Sequence, residues 1–363
     1  MKKLTLLIGL IGNMFFGQNI SDHNKLRTEK NSKLLEELVV KNKAMGAVAG
    51  ISQGDSIAWK AAYGFMNAQK TKMANTEMKT RIASIAKPMT AIAVMQLFEQ
   101  GLVALDEPIQ RYIQEFPSVG NKKITIRQLL NHTSGIKGYA SGKEAETTKN
   151  YATLTDAMHV FSARELNAEP GTTYSYSTYG YVVLGVLIER VSGLSFEVYM
   201  QKNIWDRADM NMTGIEHYGV HYDNKTALFS KQKNGKVKHV KKANNLSNRI
   251  PGGGFYSTVD DLLKFGQAVL NNTLITSETL KMMLTHNGLN QRGNPYGLGW
   301  FMYGAKPNPE KAFGHGGAQT GVSSDLLIIP STKTVIVVLA NTSRVDATMG
   351  TAIGILNNYK DAE

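Results

Sequence analysis

Apolar positions alternate with small or polar ones through Gly46–Gly64, GAVAGISQGDSIAWKAAYG, with Gln53-Gly54 at the centre. A period of two marks a strand with one buried face, so this stretch predicts two strands around a tight turn. The tail brings strands back in GLGWFMYG, SSDLLIIP and TVIVVLAN. Helical patterning predicts a polar helix near 31–43, one from Thr258 to about Leu270, and a last one over roughly 345–357. The segment from Ser84 to Gly101, SIAKPMTAIAVMQLFEQG, is apolar on nearly every face through Met89–Phe98. It predicts a buried helix, with Pro88 tolerable because it lies near the start and Gly101 as the stop. From about Leu105 to Asn248 the pattern is mostly helix and loop, with turn-rich gaps at 133–142 and 170–173. Strands at both ends and helices between them predict an α+β fold. It is an antiparallel sheet formed from both ends of the chain and flanked by helices, with a mostly helical subdomain inserted at about 105–250. A cleft between two such lobes is a natural place for a site.

The first residues change the picture. Lys2 and Lys3 precede an apolar run, Leu4–Phe16, followed by the polar run Asn19–Asn24. This reads as a signal peptide over 1–18, followed by a polar segment at 19–43 and one domain at 44–358. The expected location is periplasmic or secreted. The 363 residues are 42% hydrophobic and 19% charged, enough for a packed core and too apolar for disorder. Zero cysteines exclude disulfide scaffolds, thiol nucleophiles and Cys-based zinc sites.

The net charge is +12, and seven lysines fall between Lys225 and Lys242. Asn234-Gly235 is a hairpin turn signal, so this stretch is expected to be an exposed two-stranded ribbon. It is either a solvated surface or a contact for an anionic envelope surface. Nucleic acid is not an expected partner of an exported chain.

Three Ser-x-x-Lys tetrads occur, at Ser84–Lys87, Ser134–Lys137 and Ser230–Lys233. Ser and Lys three apart share a face only on a helix. Gly135 and Gly138 put Ser134 in a loop, and Ser230 opens the lysine ribbon; only Ser84 begins a helix. There Lys87 either snorkels to solvent while Ser84 caps the helix, or burial lowers its pKa so that a neutral amine takes the Ser84 proton. Local sequence leaves both open. Gly50–Gly54 matches G-x-S-x-G, but strand residues follow Ser52 where a nucleophile elbow needs a helix. His217 and His221 have zinc-pair spacing, yet Gly219 and Asp223 break the helix it requires, so no metal is expected.

RIASIAKPMT, ITIRQLLNHTSGI, PGTTYSYSTYGYVVLG and GHGGAQTG, in this order, resemble the serine β-lactamase and penicillin-binding-protein superfamily on its class C-like branch. The resemblance covers about 44–342. It implies Ser84 as nucleophile, Lys87 as its lysine and Tyr176 as the tyrosine sharing proton transfer. It implies an oxyanion hole from the N–H groups of Ser84 and Ala318, and substrate contacts at Thr178, His315, Gly316 and Gly317. Two fixed donors aimed at a developing oxyanion supply about 3 kcal/mol each. No cofactor is implied.

Thr178 stands where the superfamily usually has asparagine, and His315 where it usually has lysine. Both changes weaken contacts to the carboxylate of a β-lactam or a terminal D-alanine. The Tyr-Ser-Thr and His-x-Gly pair, with GGGFYSTVDDLLKFG at Gly252–Gly266, is most similar to the mitochondrial serine β-lactamase-like proteins and their bacterial relatives. The expectation is therefore a peptidase or amidase acting through an acyl-enzyme on a small-molecule or peptide substrate. β-Lactamase, D-alanyl-D-alanine carboxypeptidase and esterase activities are the alternatives, and an acylated sensor the non-enzyme one. Tyr176 is expected to act as base in deacylation, and a neutral His315 predicts hydrolysis falling as pH drops through about 6–7.

Overall fold

The computed structural model describes residues 24–117, 123–290, 293–304 and 312–360; the expected signal stretch, 1–18, lies outside them. Six strands form the main sheet: β1 (Gly46–Gln53), β2 (Ser56–Gly64), β3 (Phe301–Met302), β4 (Phe313–Gln319), β5 (Val322–Ile329) and β6 (Thr334–Ala340). Their order is β2-β1-β6-β5-β4-β3, with every pairing antiparallel. β1 meets β6 with Ala47 opposite Ala340, so the two ends of the chain close the sheet, as the α+β expectation required.

Five main helices surround it: α1 (24–40), α2 (Ala86–Glu99), α3 (Thr178–Ser192), α4 (Val259–Leu270) and α5 (Thr348–Lys360). Alternation along β6 sorts the core into two. Val335, Val337 and Leu339 join the large cluster with Met89 and Ile92 of α2 and Leu262 and Phe265 of α4. Ile336, Val338 and Ala340 face the other way, against Leu35 and Leu38 of α1 and Ala352 and Ile355 of α5. The period of two therefore places one helical layer on each face. Each fully buried Val, Leu or Ile side chain contributes about 1.5–3 kcal/mol.

The helix expected from Ser84 opens as a short 3-10 turn, Ala83–Ile85, before α2 takes over. Gly101 ends it with φ +71°. The expected GLGWFMYG strand shrinks to Phe301–Met302, because Gly299 and Gly304 take φ +89° and +130°. The lysine-rich stretch does form a ribbon, Phe229–Lys231 against Val237–His239. Among the described residues no helix is long and apolar enough to cross a membrane.

Candidate active site

The short strand Thr80–Arg81 runs into Ala83, whose φ of +48° is left-handed. Such a residue costs about 1–2 kcal/mol and is held only where its surroundings over-determine it. It turns the chain from strand into helix, leaving Ser84 half-buried on the wall of an open groove of about 970 Å³. One turn later Lys87 is fully buried. Its Nζ lies 3.0 Å from Ser84 Oγ, 3.3 Å from Thr178 Oγ1 and 2.7 Å from Gly252 O. None of these partners is a carboxylate. Burial, and then the charge of Arg249, hold the amine well below its ordinary pKa. A neutral amine has two N–H bonds and one lone pair. Gly252 O can only accept, so it takes one N–H, and Thr178 takes the other. The lone pair is left for the Ser84 hydroxyl.

Tyr176 lies against this pair. Its ring centre is 4.8 Å from Lys87 Nζ, and its hydroxyl hydrogen-bonds Ser84. Part of the ring faces the groove, with 38% exposure. Close packing desolvates the phenol and holds it well above its ordinary pKa, against the opposing pull of the Ser84 hydrogen bond. Tyr176 is therefore a neutral proton donor at rest. The lone pair facing the Ser84 hydroxyl is that of Lys87.

His132 escaped sequence reasoning. It sits in the HTSGI turn with φ +59° and is 1% exposed. Its carbonyl accepts from the Ser175 N–H at 2.8 Å, and its Nδ1 from the Ser177 N–H at 3.3 Å. Both neighbours of Tyr176 are thus clasped by one residue, whose ring lies 4.2 Å from the Tyr176 ring. Burial, then Lys87 and His315, keep its imidazole well below its ordinary pKa. The sequence offered only HTSGI as a hint.

β4 forms the facing wall. Gly317 has no side chain because a Cβ there would meet Ile82 O at 2.4 Å. That close approach sets β4 against the residues before Ser84, with Ser324 Oγ 3.1 Å from Ile82 O. Ser84, Gly316, Gly317 and Ala318 all line the groove.

His315 departs from expectation. It is 1% exposed, with Nδ1 2.6 Å from Gly316 O and Nε2 3.1 Å from the Tyr296 hydroxyl. The carbonyl only accepts, so Nδ1 carries the proton and Nε2 accepts from Tyr296. Burial and Lys87 push its pKa down to about 3. His315 is neutral throughout pH 6–7, so the expected loss of hydrolysis in that range does not arise from it. Thr178 also changes role: its side chain faces Lys87 rather than substrate, because it opens α3 against Gly252.

The remaining candidates fall elsewhere. Ser134 Oγ accepts from the Ile136 N–H in a buried turn, and Ser52 Oγ takes a hydrogen bond from Gln267. His217 pairs with Glu197 and His221 with Asp223, and no group suited to a metal occurs among the described residues. Lys225 is not part of the exposed ribbon. It lies 2.8 Å from Glu216, which also holds buried Arg81 at 2.7 Å. Burial pushes the Glu216 carboxyl up, but Arg81 and Lys225 together keep it below its ordinary value. Arg81 reaches Thr320 O at 3.0 Å as well, tying the strand before Ser84 to the end of β4. The ribbon itself borders the groove, through Ser230 and Val240.

A sheet joined by both chain ends, with a serine and a buried lysine one turn apart at its cleft, defines a serine hydrolase. The Beta-lactamase family matches residues 31–355, and the chain belongs to that family. Among curated relatives, serine beta-lactamase-like protein LACTB, mitochondrial, of Homo sapiens is 27% identical, covering 83% of this chain and 72% of its own. Penicillin-binding protein 4* of Bacillus subtilis is 26% identical, covering 85% and 70%. Among solved structures, the octameric penicillin-binding protein homologue from Pyrococcus abyssi superposes with a TM-score of 0.79 at 25% identity, covering 92% of this chain and 77% of that one. The D-amino acid amidase from Ochrobactrum anthropi reaches 0.79 at 19% identity, covering 93% and 99%, a likeness of fold.

Proposed function

We propose that the protein hydrolyses an amide or peptide bond through an acyl-enzyme on Ser84. The observation that carries this reading is the Lys87 environment: a buried amine with no anion beside it, 3.0 Å from the Ser84 hydroxyl. Lys87 takes the Ser84 proton as Oγ attacks the carbonyl carbon. The oxyanion rests on the N–H groups of Ser84 and Ala318. The Tyr176 hydroxyl passes a proton to the leaving amine and is resupplied from the Lys87 ammonium. Water then attacks the acyl carbonyl, its proton passing back to Lys87 through Tyr176, and Ser84 leaves with a proton.

A buried, neutral His315 supplies no charge for a substrate carboxylate, which favours amides and peptides over β-lactams. The names of the relatives, a penicillin-binding protein and an amidase among them, are compatible with this acyl chemistry. The basic and apolar start of the chain supports export to the periplasm or exterior. Exposed Lys233, Lys236, Lys238, Lys241 and Lys242 beside the groove support contact with an anionic envelope surface.

The test is a fluorophosphonate label with a panel of nitrocefin, a p-nitrophenyl ester, D-Ala-D-Ala peptides and quenched peptides. Ser84→Ala is expected to abolish labelling and all turnover, and amide substrates are expected to outpace nitrocefin. Undiminished labelling of the variant would sink the assignment.

A further inference from the structure

The ladder between β3 and β4 ends at Gly314, so His315–Gln319 presents a free edge on that side among the described residues. A substrate backbone can pair along such an edge, with its groups directed alternately to the two faces of the sheet. The two glycines report what each face holds. The missing Cβ of Gly317 points at Ile82 O, on the Ser84 side. The missing Cβ of Gly316 points to the opposite face, where Asp325 Oδ1 lies 2.8 Å from the Cβ position. Asp325 is the registered partner of Gly316 on β5, and only 7% exposed.

The Asp325 carboxylate has a hydrogen bond with Thr348 at the start of α5 and makes no ion pair among the described residues. Burial therefore raises its pKa to about 7. It lines the same groove as Ser84, on a wall shared with Arg344, Asp346 and Thr348. The Tyr303 phenol also faces it, and is itself held up by burial and by the Asp325 charge. A buried carboxylate without a cation is an expensive group to keep.

We propose that Asp325 is a subsite for a substrate ammonium group, such as a lysine-like side chain or a free amino terminus, close to the scissile bond. Gly316 leaves no side chain between the carboxylate and the groove. Gly316 lies two positions before the Ala318 oxyanion donor, about 7 Å along the edge. The amine therefore lies within one or two residues of the bond cleaved. This inference rests on the acyl-transfer reading above and adds a substrate class to it.

The experiment uses paired peptide anilides carrying lysine or Nε-acetyl-lysine at each position flanking the scissile bond. Wild type and Asp325→Asn are assayed at pH 6 and pH 8. Wild type is expected to prefer the free amine at least tenfold in kcat/KM at pH 8, chiefly through KM. The preference should shrink several-fold at pH 6, where Asp325 is protonated. Asp325→Asn should lose the preference while turning over a neutral p-nitrophenyl ester within about twofold of wild type. A preference retained in Asp325→Asn, or absent from active wild type, overturns the proposal. If no anilide is cleaved, calorimetry of the same pairs on Ser84→Ala reads the subsite alone. Tighter binding of the free amine, lost in Ser84→Ala/Asp325→Asn, upholds the subsite when the acyl-transfer reading fails; equal binding overturns it.

Discussion

His132 and Lys87 act through the number of protons each nitrogen carries. Lys87 has three polar neighbours and no anion, and a neutral amine satisfies all three. His132 accepts the Ser177 N–H on Nδ1, which fixes the segment carrying Tyr176. It is a positioning residue: no reacting atom touches it. Removing the acceptor orphans a buried N–H, a loss of about 1–3 kcal/mol, or roughly tenfold to a hundredfold in rate if it falls on the Tyr176 geometry. His132→Ala is expected to lower kcat by that factor with KM little changed. His132→Asn should recover most of it, because its Oδ1 occupies the Nδ1 position and asparagine tolerates the left-handed backbone. His132→Gln should not. Steady-state kinetics with a p-nitrophenyl ester checks this, and equal losses in all three variants would refute the clasp. Ser84 and Lys87 were legible as residues because their spacing lies within one helical turn. His132 was not, because its partners lie more than forty residues away.

At the scale of elements, β4 is held against the Ser84 corner by what it lacks. A Cβ on Gly317 would meet Ile82 O and Ser324 Oγ at 2.4 Å, so Gly317→Ala must push the strand away from Ser84. A misplacement of about 1 Å in a catalytic constellation can cost on the order of a hundredfold in rate. Gly317→Ala is expected to slow Ser84 acylation by about tenfold to a hundredfold while the protein still folds. Gly316→Ala meets only a side-chain oxygen of Asp325 and should leave neutral ester turnover within a few-fold. Stopped-flow labelling of both variants, with circular dichroism as a folding control, tests the contrast. β4 was poorly legible in the sequence as a strand. FGHGGAQ has neither the alternation of β1 nor the β-branched run of β6, so only its resemblance to a family motif marked it.

At the scale of the whole molecule, buried groups such as His132, His315 and Asp325 couple protonation to folding. His132 and His315 are neutral in the fold, so below about pH 6.5 the unfolded chain binds more protons there and stability falls with pH. Asp325 works oppositely. Its carboxyl keeps a proton up to about pH 7, so between that value and the ordinary carboxylate range acid favours the fold. Between about pH 6.5 and 4 the two histidines outweigh the one carboxyl. Asp325→Asn removes the opposing group and should steepen the acid loss by about 1.4 kcal/mol per pH unit at most. Urea melts of both proteins at pH 7.5 and 5 measure it; parallel losses would show that Asp325 has no raised pKa.

The sequence by itself determined the short-range features. The alternation of β1 and the apolar run of β6 marked both as strands. The buried helix after Ser84 put Lys87 in its first turn, and Asn234-Gly235 folded the lysine ribbon. These depend on backbone periods and on residues a few positions apart. Tertiary structure decided everything that needs two distant segments in contact. It discharged Lys87 by surrounding it with a carbonyl and two hydroxyls. It buried His315 as a neutral imidazole beside the Tyr296 hydroxyl, drew Lys225 into an ion pair with Glu216, and set Asp325 beneath Gly316. Burial and the choice of neighbours set the charge of each of these groups, and neither can be read from spacing along the chain.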